Sequence, residues 1–293
     1  MKNRSLWLGL SAYILWGSLT LYWHLLQDVH PVVILCARIL FAGVFTIILL
    51  CCMGKLHEVW MTFRDWKCMR VLIATGILIT TNWGLYIWAV NSGHVLDASL
   101  GYYMNPIMSF AFGVLLFHEK CGVLDYTAIG LAAAGVLIST FSFGAFPSIA
   151  MTLALQFCVY GVLKKNAHTN ALVGITVETL LVAPFALAYL LFSKAGHAEI
   201  GMMSWKHALL LIGAGPVTAI PLILFSAGVK ELPLSTMGFL QFVSPTLTMM
   251  IGVLLLGETF TDDKIVAFCF IFAALLVYTL GIVLRERGRK RVY

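Results

Sequence analysis

Ten long apolar runs dominate the chain, at about residues 6–26, 32–53, 69–91, 98–118, 124–142, 146–163, 171–192, 207–227, 234–257 and 265–284. Each is close to the roughly 20 residues that a helix needs to cross about 30 Å of hydrocarbon, and the pattern predicts ten membrane spans. The segments between them are short and carry helix breakers: His30-Pro31, Ser92-Gly93-His94, the 142–147 stretch ending in Pro147, and Leu232-Pro233. The first run has a basic start like a signal peptide. Its apolar body is longer than the usual 7–15 residues and no small-residue cleavage site follows, so it reads as a retained span.

Composition narrows the class. In 293 residues, 61% are hydrophobic and 11% charged, at a mean hydropathy of +0.95, which excludes a water-soluble globule and a disordered chain. Ten spans and their connections consume the length and leave no soluble catalytic or nucleic-acid-binding domain. The seven cysteines are odd in number, scattered and without metal-ligand spacing, so they read as free thiols. No cofactor is expected.

The net charge of +6 matters through its placement. With the N-terminus inside, fifteen of the nineteen Lys and Arg fall on inside segments, Lys164 and the basic tail from Arg285 to Arg291 among them, and only Lys194, Lys206 and Lys264 fall outside. This bias puts both termini in the cytoplasm and supports an even number of spans. The tail reads as a stop-transfer and lipid-contact cluster rather than a nucleic-acid site.

The chain also repeats itself. An offset of 139 lays Gly113-Val114-Leu115-Leu116 on Gly252-Val253-Leu254-Leu255, Pro106 on Pro245 and Gly76 on Gly215. Five spans per half is an odd number, so the second half is inverted relative to the first, an arrangement used by transporters whose site lies between the halves. The offset also carries Tyr102, Asn105, Ser109 and Gly113 onto Gln241, Ser244, Thr248 and Gly252, each series stepping along one helical face. Such stripes avoid lipid; they line a cavity or serve close helix packing. Pro106 and Pro245, mid-span in both halves, are candidate hinges or passive kinks.

Arg38 and Glu178 lie about seven and eight residues into spans 2 and 7, at nearly the repeat offset. A charge at the centre of a span costs roughly 2.5–3.5 kcal/mol, so both turn away from lipid. They enter from opposite faces, leaving a depth gap near 10 Å at a rise of about 1.5 Å per residue. Separate partners are therefore the default and a direct ion pair the alternative. Glu178 either holds the fold or carries a coupling proton. Asp97, Glu119 and Glu258 sit at helix ends, where carboxylates reach water, and Asp97 is placed to cap span 4. The histidines show no pairing that would build a metal site. Asn82, Trp83 and Tyr86 in span 3, with Tyr13 and Trp16 in span 1, form aromatic walls carrying a few polar atoms, suited to a flat or amphiphilic organic molecule. Trp7, Trp60, Trp66 and Trp205 read as interfacial anchors.

Ala12-Tyr13-Ile14-Leu15-Trp16-Gly17, Asn82-Trp83, the run Tyr86 to Asn91, Ala98-Ser99-Leu100-Gly101-Tyr102, Asn105-Pro106, Glu178-Thr179, Leu234-Ser235-Thr236 and Pro245-Thr246-Leu247 together resemble the RarD branch of the EamA-type drug/metabolite transporters. The resemblance covers nearly the whole chain. It implies an all-α integral membrane protein of ten transmembrane helices, built as two inverted five-helix repeats, 1–143 and 144–293, in a bacterial inner membrane. It also implies a central cavity from spans 1, 3, 4, 6, 8 and 9, with spans 5 and 10 peripheral, and a permease; the branch is commonly labelled for chloramphenicol. Arg38 matches the family's span 2 arginine, but Ala37 stands where histidine is common, and Asp97 stands where glutamate is usual.

The combined expectation is a secondary transporter that moves a small organic metabolite or amphiphilic drug, outward, by alternating access around a midplane cavity. Tyr13, Trp16, Asn82, Trp83, Tyr86, Tyr102, Asn105, Gln156, Tyr160 and Gln241 would bind the solute, and Arg38 and Glu178 would neutralise or orient charge. Its partners would be the solute and lipids, with a coupling proton and a homodimer left open. An intramembrane enzyme would need a nucleophile with its base, paired aspartates or a metal cluster, and a non-transporting scaffold has no use for a duplicated polar stripe.

Overall fold

The structure, a computed structural model, describes residues 2–92, 94–143, 147–256 and 262–290; within them, the side chains of 2, 3, 90, 91, 95–99, 139, 141–143, 200, 202, 262–264, 267, 268, 283 and 285–290 are not described. Among these residues it holds thirteen helices and no strand: α1 (Lys2–His24), α2 (Pro31–Cys52), α3 (Leu56–Arg64), α4 (Trp66–Asn91), α5 (Val95–Phe117), α6 (Val123–Phe143), α7 (Ser148–Asn166), α8 (Ala171–Phe192), α9 (Lys194–Met202), α10 (Trp205–Glu231), α11 (Leu234–Gln241), α12 (Val243–Leu255) and α13 (Asp262–Lys290). Helices prevail because hydrocarbon offers no partner to a backbone N–H or C=O. Six stretches are long and apolar enough to cross a membrane: Pro31–Cys52, Trp66–Ala89, Leu100–Phe117, Ala171–Phe192, Trp205–Glu231 and Leu234–Leu255. The chain is a multi-pass membrane protein.

Local chemistry sets several helix starts. His30 accepts from the Val32 N–H ahead of Pro31 at the first helical position, Asn170 accepts from Leu172 N–H, Ser193 from Gly196 N–H and Ser204 from His207 N–H. The cap of α5 falls at His94, so Asp97 lies within the first turn rather than at the cap. Two linkers of the sequence reading are helical: α3 and α9 each fill the gap after the second long helix of their half. α3 buries Val59 and Thr62 and exposes Trp60 at 62%, the disposition of a helix lying at an interface.

The helices pack in sets. α6 lies against α13, α2 against α8, and α5 against α11; α5 also packs on α7 and α12 on α1, while α10 packs on α2 and α1, and α4 on α8 and α7. Lipid supplies no hydrophobic drive for these contacts, so close approach at small residues carries them. A methyl on Gly238 of α11 would sit 2.8 Å from the Pro106 carbonyl oxygen of α5, and one on Gly101 of α5 would sit 3.2 Å from the Ala150 carbonyl oxygen of α7.

The two mid-span prolines behave differently. α5 runs unbroken through Pro106, whereas the last long apolar stretch before α13 breaks at Phe242 between α11 and α12. The break sits one turn ahead of Pro245, where the Gln241 carbonyl would otherwise receive the missing N–H. The helix is thus interrupted ahead of Pro245 and not ahead of Pro106.

Gly215 of α10 abuts the Phe41 backbone of α2 so closely that an added Cβ would collide with it. Gly215→Ala should destabilise the protein by about 1–3 kcal/mol, read as a lower unfolding temperature in detergent, because backbone rather than a flexible side-chain tip must move. Gly84→Ala, where an added Cβ meets open space, should be close to neutral.

Candidate functional site

Polar ties gather at one end of the bundle, where α1 and α11 begin and α5, α7 and α10 finish. Ser5 donates to Glu231, Lys165 to the Val229 and Leu232 carbonyls, and Lys230 to the Thr169 carbonyl. At the end of α5, His118 adopts a left-handed conformation at φ 49° and turns the chain so that Glu119 N–H donates to the Gly113 carbonyl at 3.1 Å. The Glu119 carboxylate then accepts from Leu234 N–H, from Ser235 N–H at 2.9 Å and from Ser235 Oγ at 2.6 Å. Expected at water level, Glu119 is half-buried and caps α11, which follows Pro233 and has no cap of its own.

Above this end lies an aromatic layer. Tyr13 and Tyr160 are fully buried. Trp16 stands 5.5 Å from Tyr13, 6.0 Å from Phe157 and 5.7 Å from Phe225, and Tyr160 stacks on Phe225 at 5.9 Å. The structure therefore brings Tyr13, Trp16 and Tyr160 together, with Phe157 and Phe225, which sequence reasoning missed. The signal was present: the 139 offset lays Phe225 on Tyr86, and Phe157 and Tyr160 share a face. Asn105 Oδ1 is buried with no hydrogen-bond partner among the described residues, and the buried Tyr160 hydroxyl faces Ser226 and Glu178. Gln241 is buried near the α11–α12 break.

Toward the opposite end the polar side chains are spread over several helices. Tyr102 is 42% exposed although α5 is packed by α7, α11 and α6, and its ring meets Tyr86 of α4 edge-on at 5.5 Å. Thr20 donates to Thr248 at 3.1 Å. Asn82 donates to the Leu153 carbonyl at 2.8 Å and to Gln156 Oε1 at 3.4 Å, so both amides serve the α4–α7 contact. Between α2, α4, α8 and α10 a narrow cavity of about 20 Å³, room for one water, touches Trp83 and Glu178.

The two intramembrane charges have separate partners. Glu178 accepts from Lys164 Nζ at 2.9 Å and from Thr75 Oγ1, with the Lys164 and Glu178 side chains only 1% and 4% exposed. Lys164, counted above with the inside cations, is instead folded into the bundle: it lies in the last turn of α7, and its aliphatic stem carries the ammonium back to the buried Glu178 carboxylate. Arg38 donates from Nε to Thr218 Oγ1 at 3.1 Å, and its guanidinium lies between the Trp23 and Trp83 rings at 4.6 and 4.5 Å. No cluster of three His, Cys, Asp or Glu that could hold a metal occurs among the described residues. Glu258 lies outside those residues, as do the side chains of Asp97 and of the basic tail.

The model of the EamA-like transporter family matches twice, over residues 3–141 and 147–280. The chain is 42% identical to the protein named "Uncharacterized transporter YojE" of Bacillus subtilis, across 95% of this chain and 94% of that one. It is 36% identical to "Protein RarD" of Salmonella typhi, across 96% of both. A solved crystal structure shares the fold at a TM-score of 0.73 and 19% identity, covering 96% of this chain and 98% of its own.

Lys164→Met should cost about 3–5 kcal/mol in stability by leaving the Glu178 carboxylate buried without a counter-ion. The double variant Lys164→Met, Glu178→Met should recover most of that loss, and a double-mutant cycle of thermal unfolding in detergent reads the difference.

Proposed function

The chain belongs to the EamA-like transporter family, and we propose that it is a secondary carrier of ten spans, α1, α2, α4, α5, α6, α7, α8, α10, α11 with α12, and α13, in two inverted halves, 1–143 and 144–293. One observation carries this reading. α10 holds Arg38 of α2 through Thr218, and α4 holds Glu178 of α8 through Thr75, so each half clasps the other's charged helix by the same kind of bond. The packing of α5 on α7 and α12 on α1, the helices α3 and α9 and the two family matches support the same exchange of halves. Five spans per half make the second half upside down, as alternating access requires.

The bundle is drawn as one end state of that cycle. Glu119, the aromatic layer of Tyr13, Trp16, Phe157, Tyr160 and Phe225, and the close Gly238–Pro106 approach shut the end where α1 begins. The charge bias supports assigning that end to the cytoplasm of a bacterial inner membrane, with both termini on that side. The solute, a small organic molecule, enters from the opposite end between Asn82, Trp83, Tyr86, Tyr102 and Gln156, and meets Tyr13, Trp16, Tyr160, Asn105 and Gln241 as the halves rock. The unmatched Oδ1 of Asn105 is the group with most to gain from a ligand or water. The break before Pro245 is the hinge in this scheme. Glu178, already paired by Lys164, serves the fold; export is the direction assigned.

The direct test is flux in proteoliposomes loaded with candidate solutes. Unaltered solute crossing the bilayer supports the carrier, while appearance of a chemical product would support an intramembrane enzyme instead. Asn105→Ala and Gln241→Ala should each lower flux by about 5- to 100-fold, the worth of a buried hydrogen bond, with yield and unfolding temperature changed little. Equal losses of folded protein and flux would assign them to packing. Cysteine labelling should find residue 2 and the C-terminal tail on the same side of the membrane.

A further inference from the structure

The two halves treat their intramembrane charges unequally. Glu178 has an internal counter-ion in Lys164, which α7 supplies from its last turns. α1 offers Arg38 the Trp23 indole where α7 offers Glu178 an ammonium. Among the described residues the ion pairs are Lys55–Glu58 and Lys164–Glu178, and neither involves Arg38. Its guanidinium carries five N–H donors, of which the Nε–H is taken by Thr218.

Nothing about this guanidinium suggests a group free to seek lipid headgroups. Trp23 and Trp83 hold it between two ring faces and Thr218 fixes its Nε edge, which leaves the two terminal nitrogens without a hydrogen-bond partner among the described residues. It is half-buried, and the groups within its electrostatic reach are the hydroxyls of Tyr86 and Tyr102, whose rings meet edge-on. A guanidinium stays charged at any working pH, and its fork matches the two oxygens of a carboxylate. An aromatic sandwich lowers the cost of holding that charge away from water but supplies no negative charge.

From this we infer that Arg38 is the anion-binding end of the solute site, and that the solute is a carboxylate carrying a flat or apolar body. The carboxylate occupies the terminal nitrogens of Arg38, and the body lies against Tyr86, Tyr102 and Trp83. The counter-ion that Arg38 lacks among the described residues is thus brought by the cargo. The inference rests on the carrier reading for its direction of movement, but the binding step stands without it.

The test uses full-length protein in detergent and in proteoliposomes with three probes of one shape: hydrocinnamate, its neutral amide, and phenethylamine as the cation. Hydrocinnamate should raise the unfolding temperature and quench tryptophan fluorescence, while the amide and the amine should do neither at the same concentration. Arg38→Gln should weaken hydrocinnamate binding by about 30-fold or more, and Arg38→Lys should restore only part of it, because an ammonium lacks the fork. Thr218→Val, which keeps the charge and loses the Nε anchor, reports on the same site should Arg38→Gln fail to fold, and should weaken binding less. Equal binding of anion and amide by the wild type, or anion binding unchanged in Arg38→Gln, overturns the inference. Arg38-dependent binding without flux would uphold it and reject the carrier; flux of neutral solutes indifferent to Arg38 would do the reverse.

Discussion

Hydrocarbon provides neither hydrogen bonds nor counter-ions, so every polar group within a span must be answered by another span or by enclosed water. The buried Lys164–Glu178–Thr75 contact shows that constraint acting as an organiser. It joins α7, α8 and α4 at one point. A salt bridge this deeply buried is weak evidence for net stability, because desolvation of both ions opposes their attraction. Its effect is on choice of partner: any arrangement that separates α7 from α8 strands two charges in apolar surroundings.

The same constraint explains how the ends of the bundle differ. Where α5 meets α11, glycine on both helices lets backbone approach backbone, and Glu119 closes the seam by receiving the free N–H groups of α11. These are short-range contacts, individually modest and jointly lost when the helices part. Beyond the break at Phe242, α12 leaves α5 for α1, and the lining there consists of tyrosine, threonine and amide side chains that tolerate water. Aromatic side chains suit the layer between, since they bury large areas at low entropy cost and can slide past a ligand face.

Much of the scaffold was legible in the chain. Long apolar runs fix helices because the membrane admits few alternatives, and their bounds from sequence agree with the helices to within a few residues for most spans. The 139-residue offset pointed to Arg38 and Glu178 as a related pair and to Pro106 and Pro245. What it could not resolve was the difference between the members of each pair. Pro245 breaks its helix and Pro106 does not, because α5 is held on both sides of the proline by α7 and α11. Lys164 looked like a loop cation, since a lysine near a helix end is ordinarily solvated, and only the neighbouring carboxylate reverses that preference. Phe157 and Phe225 were lost among many apolar residues, where identity gives no hint of which ring meets which.

Sequence alone therefore determined the helical membrane class, because that follows from hydropathy and periodicity summed over some twenty residues at a time. The tertiary structure decided which charge is paired and which is left to two indoles, and where the last long apolar stretch breaks. Those outcomes turn on single contacts between residues more than a hundred positions apart, as between Thr75 and Glu178 or Arg38 and Thr218, and a one-dimensional pattern carries no term for them.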